Sequence, residues 1–515
     1  MDKKEKLILV KNALANVIRG GAAALVAIAL PPFLTRLMSP SAFSVWALVL
    51  QLSAFVGYLD FGIQTAVGRF VAHANERGDA EHRDRIVNTS LAVLSATCLI
   101  CIIGIGVLAV LLPHLFSQMP VGLVGDGRVA LLLVASSLAV GLPASVINGI
   151  FVGIQRNEVP AAIIGGSRVF SAVLLIFVVE HGGNLREMAL VVTAVNLASY
   201  LLQYIFLRRM LPGAKLSSRL VSRRTGRELF DYCWSLTIWS FAMILITGLD
   251  VTLVGYFQFG AVGYYAVAAS LVTFIAGLQN AVFNAMIPTT AVLHARGDKA
   301  ELGRIMITAT RYGTFLLLLT GLPIIILAKR ILTLWVGSEY AAHGVRLLQV
   351  LVAANIIRLS ATPYVVTLIG AGQQRLVVFT PIVEGLSNLL MSIVAGYFLG
   401  ATGVALGTLF GSLFGIGGNF FYNMRRTTGL KFRISDYLRD GLLRPSVCAV
   451  PVVALVFIVR AFSPATPFLG VTSTILGLLS TAACFWLWGL SDTERAKLRP
   501  RQVLALAARG FDVHR

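Results

Sequence analysis

Charged residues are scarce in this chain of 515 residues. Asp, Glu, Lys and Arg make up 13% of it, whereas 57% of the residues are hydrophobic. A soluble domain has about 25% charged residues, so the composition excludes an ordinary soluble protein. Apolar runs of about 20 residues, enough for a helix to cross the ~30 Å hydrocarbon core of a bilayer, recur along almost the whole length. They lack the period-two alternation of barrel strands. We predict an all-α polytopic membrane protein with about 14 transmembrane helices.

Motifs for enzymatic chemistry are missing as well. The nucleotide-binding pattern G-x-x-x-x-G-K-[ST] does not occur. The longest hydrophilic segments, at 208–229 and 425–444, are basic and not rich in carboxylates. The five cysteines and seven histidines suggest no metal site, and Cys98 and Cys101 form a C-x-x-C inside an apolar run, where small apolar residues are expected. We therefore expect no enzyme, no metal and no cofactor.

Positive charge, by contrast, is abundant and unevenly placed. The net charge is +20, and the basic residues concentrate in alternate hydrophilic segments, most densely from Arg208 to Arg227. This is the pattern of the positive-inside rule. It predicts that both termini are cytosolic, and it explains the net charge without a nucleic-acid partner.

Two hydrophilic hairpins share a tripeptide. Arg77–Asp79 and Arg296–Asp298 both read Arg-Gly-Asp, 219 residues apart, and at the same offset the segment Ser41–Ala47 falls on Gly260–Ala266. Agreement of separate stretches on one offset indicates two homologous halves. Six spans return the chain to its starting side, so both halves have the same orientation in the membrane, related by an axis along its normal. Each tripeptide is a solvated turn in the equivalent cytosolic hairpin.

The duplication predicts a division of the chain into five parts. Two six-helix lobes related by a pseudo-twofold axis are the usual organisation of a secondary transporter, in which the lobes rock about a central site. The parts are the N-terminal lobe 1–210, a cytosolic basic linker 211–229, the C-terminal lobe 230–425, two extra transmembrane helices with a preceding basic loop 426–490, and a cytosolic tail 491–515.

Ionisable side chains inside the apolar runs are candidate functional residues, because a charge at membrane depth costs free energy unless it faces a polar cavity or a partner. The candidates for substrate binding are Arg19, Asp60, Arg168, Arg311 and Arg358. The candidates for ion coupling are Asp60, Asp250 and Glu384. Arg19 and Arg311 lie near the cytosolic face, where snorkelling is an alternative explanation. For Arg168 and Arg358, a structural buried ion pair with a carboxylate is the alternative.

The charge of these candidates indicates the substrate. None of the buried charges is repeated at the 219-residue offset, so the charged lining is asymmetric although the scaffold is duplicated. Arginines outnumber carboxylates, which favours an anionic substrate group, since guanidinium binds phosphate through paired hydrogen bonds. Arg168 and Arg358 lie near mid-depth in different halves, and we expect a pyrophosphate to engage both.

The motifs resemble those of a known family. GYLDFGIQTAVGR, GAVGYYAVAASLV and GAGQQR, together with the fourteen-span organisation, resemble the Wzx-type polysaccharide-biosynthesis flippases. This group belongs to the MOP superfamily, which also contains the MATE exporters and the peptidoglycan-precursor flippase. Asp60 and Arg69 occupy the places of the acidic and basic residues of the family's D-x-G…R pattern.

This resemblance implies a V-shaped two-lobe fold with a central cationic cavity. It implies a bacterial inner-membrane flippase that moves undecaprenyl-pyrophosphate-linked oligosaccharide, an O-antigen or exopolysaccharide repeat unit, from the cytosolic to the periplasmic leaflet by alternating access. Membrane lipid and the polymerase and chain-length regulator of the same pathway are the implied partners. The two extra helices correspond to the pair that twelve-span exporters lack.

Two other functions are compatible with the sequence. A cation-coupled MATE-like exporter of small amphipathic molecules is one, although its cavity should be acidic. A non-transporting membrane scaffold is the other, but it leaves the buried charges without a role. Without a nucleotide site, net transport needs a proton or sodium gradient, or removal of the product. A buried carboxylate can carry a proton where its surroundings favour the protonated form.

Overall fold

The computed structural model describes residues 20–22, 24–213, 215–373, 379–462, 467–490 and 494–495. All regular secondary structure in these ranges is helical, and 13 helices among them are long and apolar enough to cross a membrane. They are α1 (Gly20–Leu37), α2 (Pro40–Glu76), α3 (Ala80–Leu115), α4 (Val121–Gly153), α5 (Glu158–Glu180), α6 (Leu185–Met210), α7 (Leu236–Phe257), α8 (Phe259–Ala295), α9 (Lys299–Val336), α10 (Ser338–Gly370), α11 (Phe379–Arg426), α12 (Ile434–Val459) and α13 (Val471–Gly489).

One of these helices is two spans. The 48 residues of α11 would extend about 70 Å as a straight helix, more than twice the hydrocarbon thickness. Gly400 interrupts it with φ 56° and ψ −134°, a conformation that glycine adopts without a side-chain clash. When α11 is counted as two spans, the described residues contain the fourteen that the sequence predicts, and the predicted fold class is confirmed.

The duplication is visible in the helix bounds. Adding 219 to the bounds of α2, Pro40–Glu76, gives those of α8, Phe259–Ala295, at both ends. The same shift places α3 on α9 and α4 on α10 to within two residues. The halves therefore repeat helix for helix over these spans, as the sequence offset predicts.

The described chain forms two compact units. The first contains the residues up to Phe274 with Leu332–Leu351 and Pro381–Gly411, and the second contains 275–331, 352–380 and the residues from Ser412 onward. In the first unit, α4 packs against α2, α3 and α6, around buried side chains such as Trp46 and Phe151.

The added helices α12 and α13 belong to the second unit. Phe485 of α13 stacks on Phe315 of α9 with ring centroids 3.9 Å apart, and Cys448 of α12 is buried in the same apolar cluster. These contacts bury large apolar surfaces and attach the two extra helices to the second unit.

Many large apolar side chains are exposed on the helices. On α3 they include Leu99, Ile100 and Ile103. A soluble protein rarely exposes a contiguous apolar surface of this kind, whereas a membrane-spanning helix presents it to lipid.

Candidate functional site

Asp60 lies at an interruption of α2. The helix stops being regular over residues 59–62, where Phe61 has φ 52° and Gly62 has φ 77°. A positive φ is rare for a bulky residue such as Phe and marks a strained turn. The interruption frees backbone groups within a transmembrane helix, which is tolerated only where protein or a polar cavity satisfies them.

Two hydrogen bonds hold the Asp60 carboxylate in this turn. Its Oδ2 accepts from the backbone N–H of Gln64 at 3.2 Å, and its Oδ1 accepts from the hydroxyl of Ser145 at 2.7 Å. Ser145 is on α4, so the second bond joins two helices. Hydrogen bonds to an ionised acceptor are stronger than neutral ones, and the pair therefore fixes where the carboxylate lies.

Asp60 lines a cavity of about 610 Å³ within the first unit, which we call the first-half cavity. Its wall is formed by α1, α2, α4, α5 and α6. Polar side chains occupy much of this wall, among them Ser53, Gln64, Asn148, Ser167, Asn196 and Gln203. Polar groups are costly inside an apolar bundle unless they are hydrogen-bonded, so a polar wall of this extent indicates a hydrated or ligand-binding space.

Arg168 of α5 lines the same cavity. The described lining residues thus carry one carboxylate, Asp60, and one guanidinium, Arg168, and the wall is neutral in sum. Two of the sequence-predicted residues therefore come together in one site, and their opposite charges balance.

Asp250 belongs to a separate polar cluster in the first unit. Its side chain lies in α7 directly after a π-helical stretch, Ile244–Gly248, and is only 8% exposed. Its Oδ2 accepts from the hydroxyls of Tyr265 at 3.1 Å and Thr408 at 3.0 Å, and Asn388 donates to its Oδ1 at 3.5 Å.

The cluster continues along α11. The Ser392 hydroxyl lies 2.9 Å from the amide oxygen of Asn388 and 3.2 Å from the carbonyl oxygen of Val404. Gly407 makes this close approach of the two α11 segments possible, because a Cβ there would lie 2.5 Å from the backbone nitrogen of Ser392. The side chains of Asp250, Asn388, Ser392 and Thr408 therefore bring several oxygens together inside the membrane-spanning part.

Arg311 is paired elsewhere. Its guanidinium bonds the carboxylate of Glu494 in the second unit, and both side chains are mostly buried. The face of the Tyr312 ring lies 5.9 Å from the Arg311 guanidinium carbon. This ion pair links α9 to the chain that follows α13, which is the structural alternative to substrate binding at Arg311.

Two further candidates, Arg358 and Glu384, are not among the described residues that line the first-half cavity. Arg358 is half-buried near the end of the first segment of α10, in the second unit. Glu384 is half-buried in α11, and Arg19 lies outside the described residues. Arg69 of the D-x-G…R pattern places its guanidinium 4.9 Å from the ring centre of Tyr232, a cation–π contact.

The second half carries a different arrangement at the position of Asp60. The equivalent residue at the 219-residue offset is Gln279, buried in the second unit. Its amide donates to Thr320 at 2.7 Å and accepts from Asn355 at 3.0 Å. A neutral amide network thus replaces the carboxylate, and the asymmetry that the sequence predicts has a structural counterpart.

Sequence reasoning missed the partners of the charged residues. Ser145 and Glu494 gave no individual signal, because hydroxyls and carboxylates at such positions are common. Asn388 and Ser392 did offer one, since two polar residues four positions apart share one face of a helix.

Comparison with known proteins gives the same fold. The structure is similar to that of the lipid II flippase MurJ in an inward closed conformation, with a TM-score of 0.73 at 14% sequence identity over 93% of this chain and 99% of that one. It is also similar to an inward-facing multidrug resistance MATE family transporter of the MOP superfamily, with a TM-score of 0.57 at 17% identity over 80% and 94% of the two chains.

Sequence comparison adds the family. The uncharacterized membrane protein EpsK of Bacillus subtilis (strain 168) is 23% identical over 372 residues, which cover 70% of this chain and 72% of that protein. Residues 9–294, more than half of the chain, match the model of a family described as polysaccharide biosynthesis protein. The chain is therefore a multi-pass membrane protein that belongs to the polysaccharide biosynthesis protein family.

Proposed function

We propose that this protein is a flippase for undecaprenyl-pyrophosphate-linked oligosaccharide, an O-antigen or exopolysaccharide repeat unit. It moves this substrate from the cytosolic to the periplasmic leaflet of the bacterial inner membrane by alternating access, with both termini in the cytosol. Family membership and the MurJ-like fold support a lipid-linked precursor as the substrate class.

The first-half cavity is the observation that carries this proposal. A bundle that only spanned the membrane would fill its interior with apolar side chains, because buried polar groups cost free energy. This bundle instead keeps a cavity of about 610 Å³ whose wall contains Asp60, Arg168 and several uncharged polar side chains among apolar ones. Such a space accommodates a hydrophilic headgroup while the lipid tail stays in the bilayer.

The charge of the wall argues against a MATE-like exporter of cationic drugs. An organic cation needs a net negative surrounding to offset the loss of its hydration. Here Arg168 balances Asp60 in the described lining, so a cation gains no net attraction from the wall.

For energy coupling, the Asp250 cluster is the best supported of the three predicted carboxylates. Asp250 is buried among the neutral donors Tyr265, Thr408 and Asn388, with the Ser392 hydroxyl and the Val404 carbonyl close by. Hard cations bind oxygen ligands, and a proton can occupy a buried carboxylate. Proton or sodium coupling at Asp250 therefore accompanies the proposed transport.

The partners follow from the same proposal. A flipped repeat unit must be consumed on the far side of the membrane, so a polymerase and a chain-length regulator would act next. Removal of product by that polymerase would add to the driving force.

Substitution of the two mid-depth arginines tests the function. Arg168→Ala and Arg358→Ala each remove a charge-assisted contact worth about 1.5–3 kcal/mol. Arg168→Lys and Arg358→Lys keep the positive charge but lose the paired hydrogen bonds that a guanidinium forms. We expect normal membrane levels, lipid-linked oligosaccharide accumulating in the inner leaflet for Ala, and partial transport for Lys. Full transport by both Ala variants would remove these residues from the site, and loss of the protein would make them structural.

A further inference from the structure

The wall of the first-half cavity offers both donors and acceptors of hydrogen bonds. Asp60 presents a carboxylate that only accepts, and Arg168 presents a guanidinium that only donates. Asn148 and Gln203 present amides that do both. A ligand that fits this wall must therefore both donate and accept.

Several polar atoms of this wall have no hydrogen-bond partner among the residues that the structure describes. They are Trp46 Nε1, Ser53 Oγ, Asn148 Oδ1 and Gln203 Oε1. Trp46, Ser53 and Gln203 are almost completely buried. Buried polar groups in native proteins nearly always find a partner, so a cluster of unpaired ones around one cavity calls for a ligand or water that pairs with them after small side-chain rotations.

A phosphate does not meet this requirement. Ionised phosphate oxygens only accept hydrogen bonds, so they leave the Asn148 and Gln203 oxygens unpaired. The Asp60 carboxylate repels a pyrophosphate while Arg168 attracts it, so the wall provides no net electrostatic gain. Sugar hydroxyls both donate and accept, and they carry no charge.

The cavity also contains aromatic surface suited to a sugar ring. This surface comes from Tyr200, which belongs to the lining and is half-buried, whereas Trp46 borders the cavity with its ring packed in the bundle. The Tyr200 hydroxyl packs directly over Gly141, where a Cβ would overlap it. Amphipathic aromatic rings pair an apolar face with a polar edge, which matches the C–H and O–H groups of a pyranose.

We propose that the first-half cavity receives the glycan of the lipid-linked substrate and not its pyrophosphate. This assignment rests on the proposed flippase function and refines it, because it gives Arg168 to the sugar end of the substrate. The pyrophosphate then binds outside this cavity.

The experiment compares binding of two lipids to the purified full-length protein. One is bare polyprenyl pyrophosphate, and the other carries glucose, galactose, rhamnose or N-acetylglucosamine on the pyrophosphate. Native mass spectrometry gives the affinity for each lipid and hence the advantage of the glycosylated one. We expect a glycosylated lipid to bind the wild type more tightly than the bare lipid.

Two substitutions in the cavity wall test whether the tighter binding of the glycosylated lipid arises in the first-half cavity. Trp46→Phe and Gln203→Leu should each reduce that advantage about two- to tenfold, the usual effect of losing one hydrogen bond, and leave binding of bare lipid unchanged. Trp335→Phe is the matched control, because its indole N–H donates to the carbonyl of Ile28 at 2.9 Å and Trp335 is not in the described cavity lining. It should change neither affinity.

Three results overturn the proposal. Equal binding of bare and glycosylated lipids to the wild type would show that the cavity does not bind the glycan, but it would not contradict the flippase proposal. If Trp46→Phe weakens binding of the bare and the glycosylated lipid equally, the cavity binds the pyrophosphate. If folded Trp46→Phe and Gln203→Leu bind both lipids like the wild type, the cavity holds only water. Failure of every polyprenyl pyrophosphate to bind the wild type contradicts the flippase function itself.

Discussion

The backbone N–H of Gly263 donates a hydrogen bond of 3.0 Å to the hydroxyl of Ser44, and the two residues are 219 positions apart. Ser44 and Gly263 are thus equivalent positions of the duplicated halves. A residue can touch its own symmetry equivalent only close to the twofold axis, as in any isologous interface. The pair therefore marks the pseudo-twofold axis within the first unit.

Ser44→Ala should lower the free energy of unfolding by about 1 kcal/mol. Gly263 lies in the first turn of the regular α-helical part of α8, which starts at Val262 after a 3-10 turn, Phe259–Ala261, so the Ser44 hydroxyl acts as a cap supplied by another helix. Thermal unfolding in detergent measures the change. The control is Thr97→Ala, whose hydroxyl bonds the Val93 carbonyl of its own helix, and an equal loss in both variants would contradict a special role for Ser44.

Gly62→Ala should destabilise the turn that holds Asp60, by about 1–3 kcal/mol. Alanine there must adopt φ 77° and would place its Cβ 2.7 Å from the Leu236 side chain. Gly78→Ala is the matched control, because Gly78 has φ 68° but nothing within 4 Å, so only the backbone strain applies. Unfolding midpoints that fall equally in the two variants would show that the contact with Leu236 is unimportant.

Arg311→Met should destabilise the protein by about 3–5 kcal/mol, since it removes the guanidinium that bonds the mostly buried Glu494 carboxylate. The double variant Arg311→Met, Glu494→Gln should recover part of this loss, because neither charge is then stranded. Substitution of Arg85, whose ion pair with Glu81 is exposed, should cost less than about 0.5 kcal/mol. A small effect of Arg311→Met combined with lost transport would move Arg311 into the substrate site.

Asp250→Asn should abolish the response of transport to an ion gradient. In vesicles containing the wild type, dissipating the proton or sodium gradient should slow flipping, since our proposal places the coupling ion at the oxygens around Asp250. The variant should be slow and no longer respond. Asp126→Asn, which breaks the ion pair with Arg186 outside the Asp250 cluster, should respond like the wild type. If flipping by Asp250→Asn still responded fully to the ion gradient, another carboxylate would be the coupling site.

Topology reporters test the predicted orientation. Fusions after Arg77 and Arg296 should read cytosolic, and fusions after Gln118, Gly183 and Ser338 should read periplasmic, because the positive-inside rule predicts that the basic loops stay in the cytosol. A cytosolic signal at Ser338 together with a periplasmic one at Arg296 would invert the second half.

The sequence predicts the membrane fold well because the lipid bilayer requires apolar helices of a fixed minimum length. Apolar runs of helix length and the shared Arg-Gly-Asp hairpins are enough to define the spans and the 219-residue correspondence of α2 with α8. The offset also places Gln279 opposite Asp60, and the structure adds that Gln279 is hydrogen-bonded to Thr320 and Asn355.

The pairing of the buried charges could not be predicted in the same way. Asp60 and Ser145, 85 residues apart in sequence, are hydrogen-bonded because α2 is interrupted at Phe61 and Gly62. The local sequence does not predict a positive φ at a phenylalanine. Likewise, Arg311 forms its ion pair with Glu494, 183 residues away in sequence. Such contacts depend on how the helices pack, which periodicity does not encode.

The matching bounds of α2 and α8 also bear on ancestry. A gene for one such half, with a repeat of 219 residues, would have encoded a six-helix protein that inserted in one orientation and paired with a second copy, with the ancestors of Ser44 and Gly263 facing each other at the dimer axis. As long as the copies were identical, any change in one lining appeared in both. Fusion into a single gene released that constraint, so a carboxylate could be kept at Asp60 while the other copy came to carry Gln279.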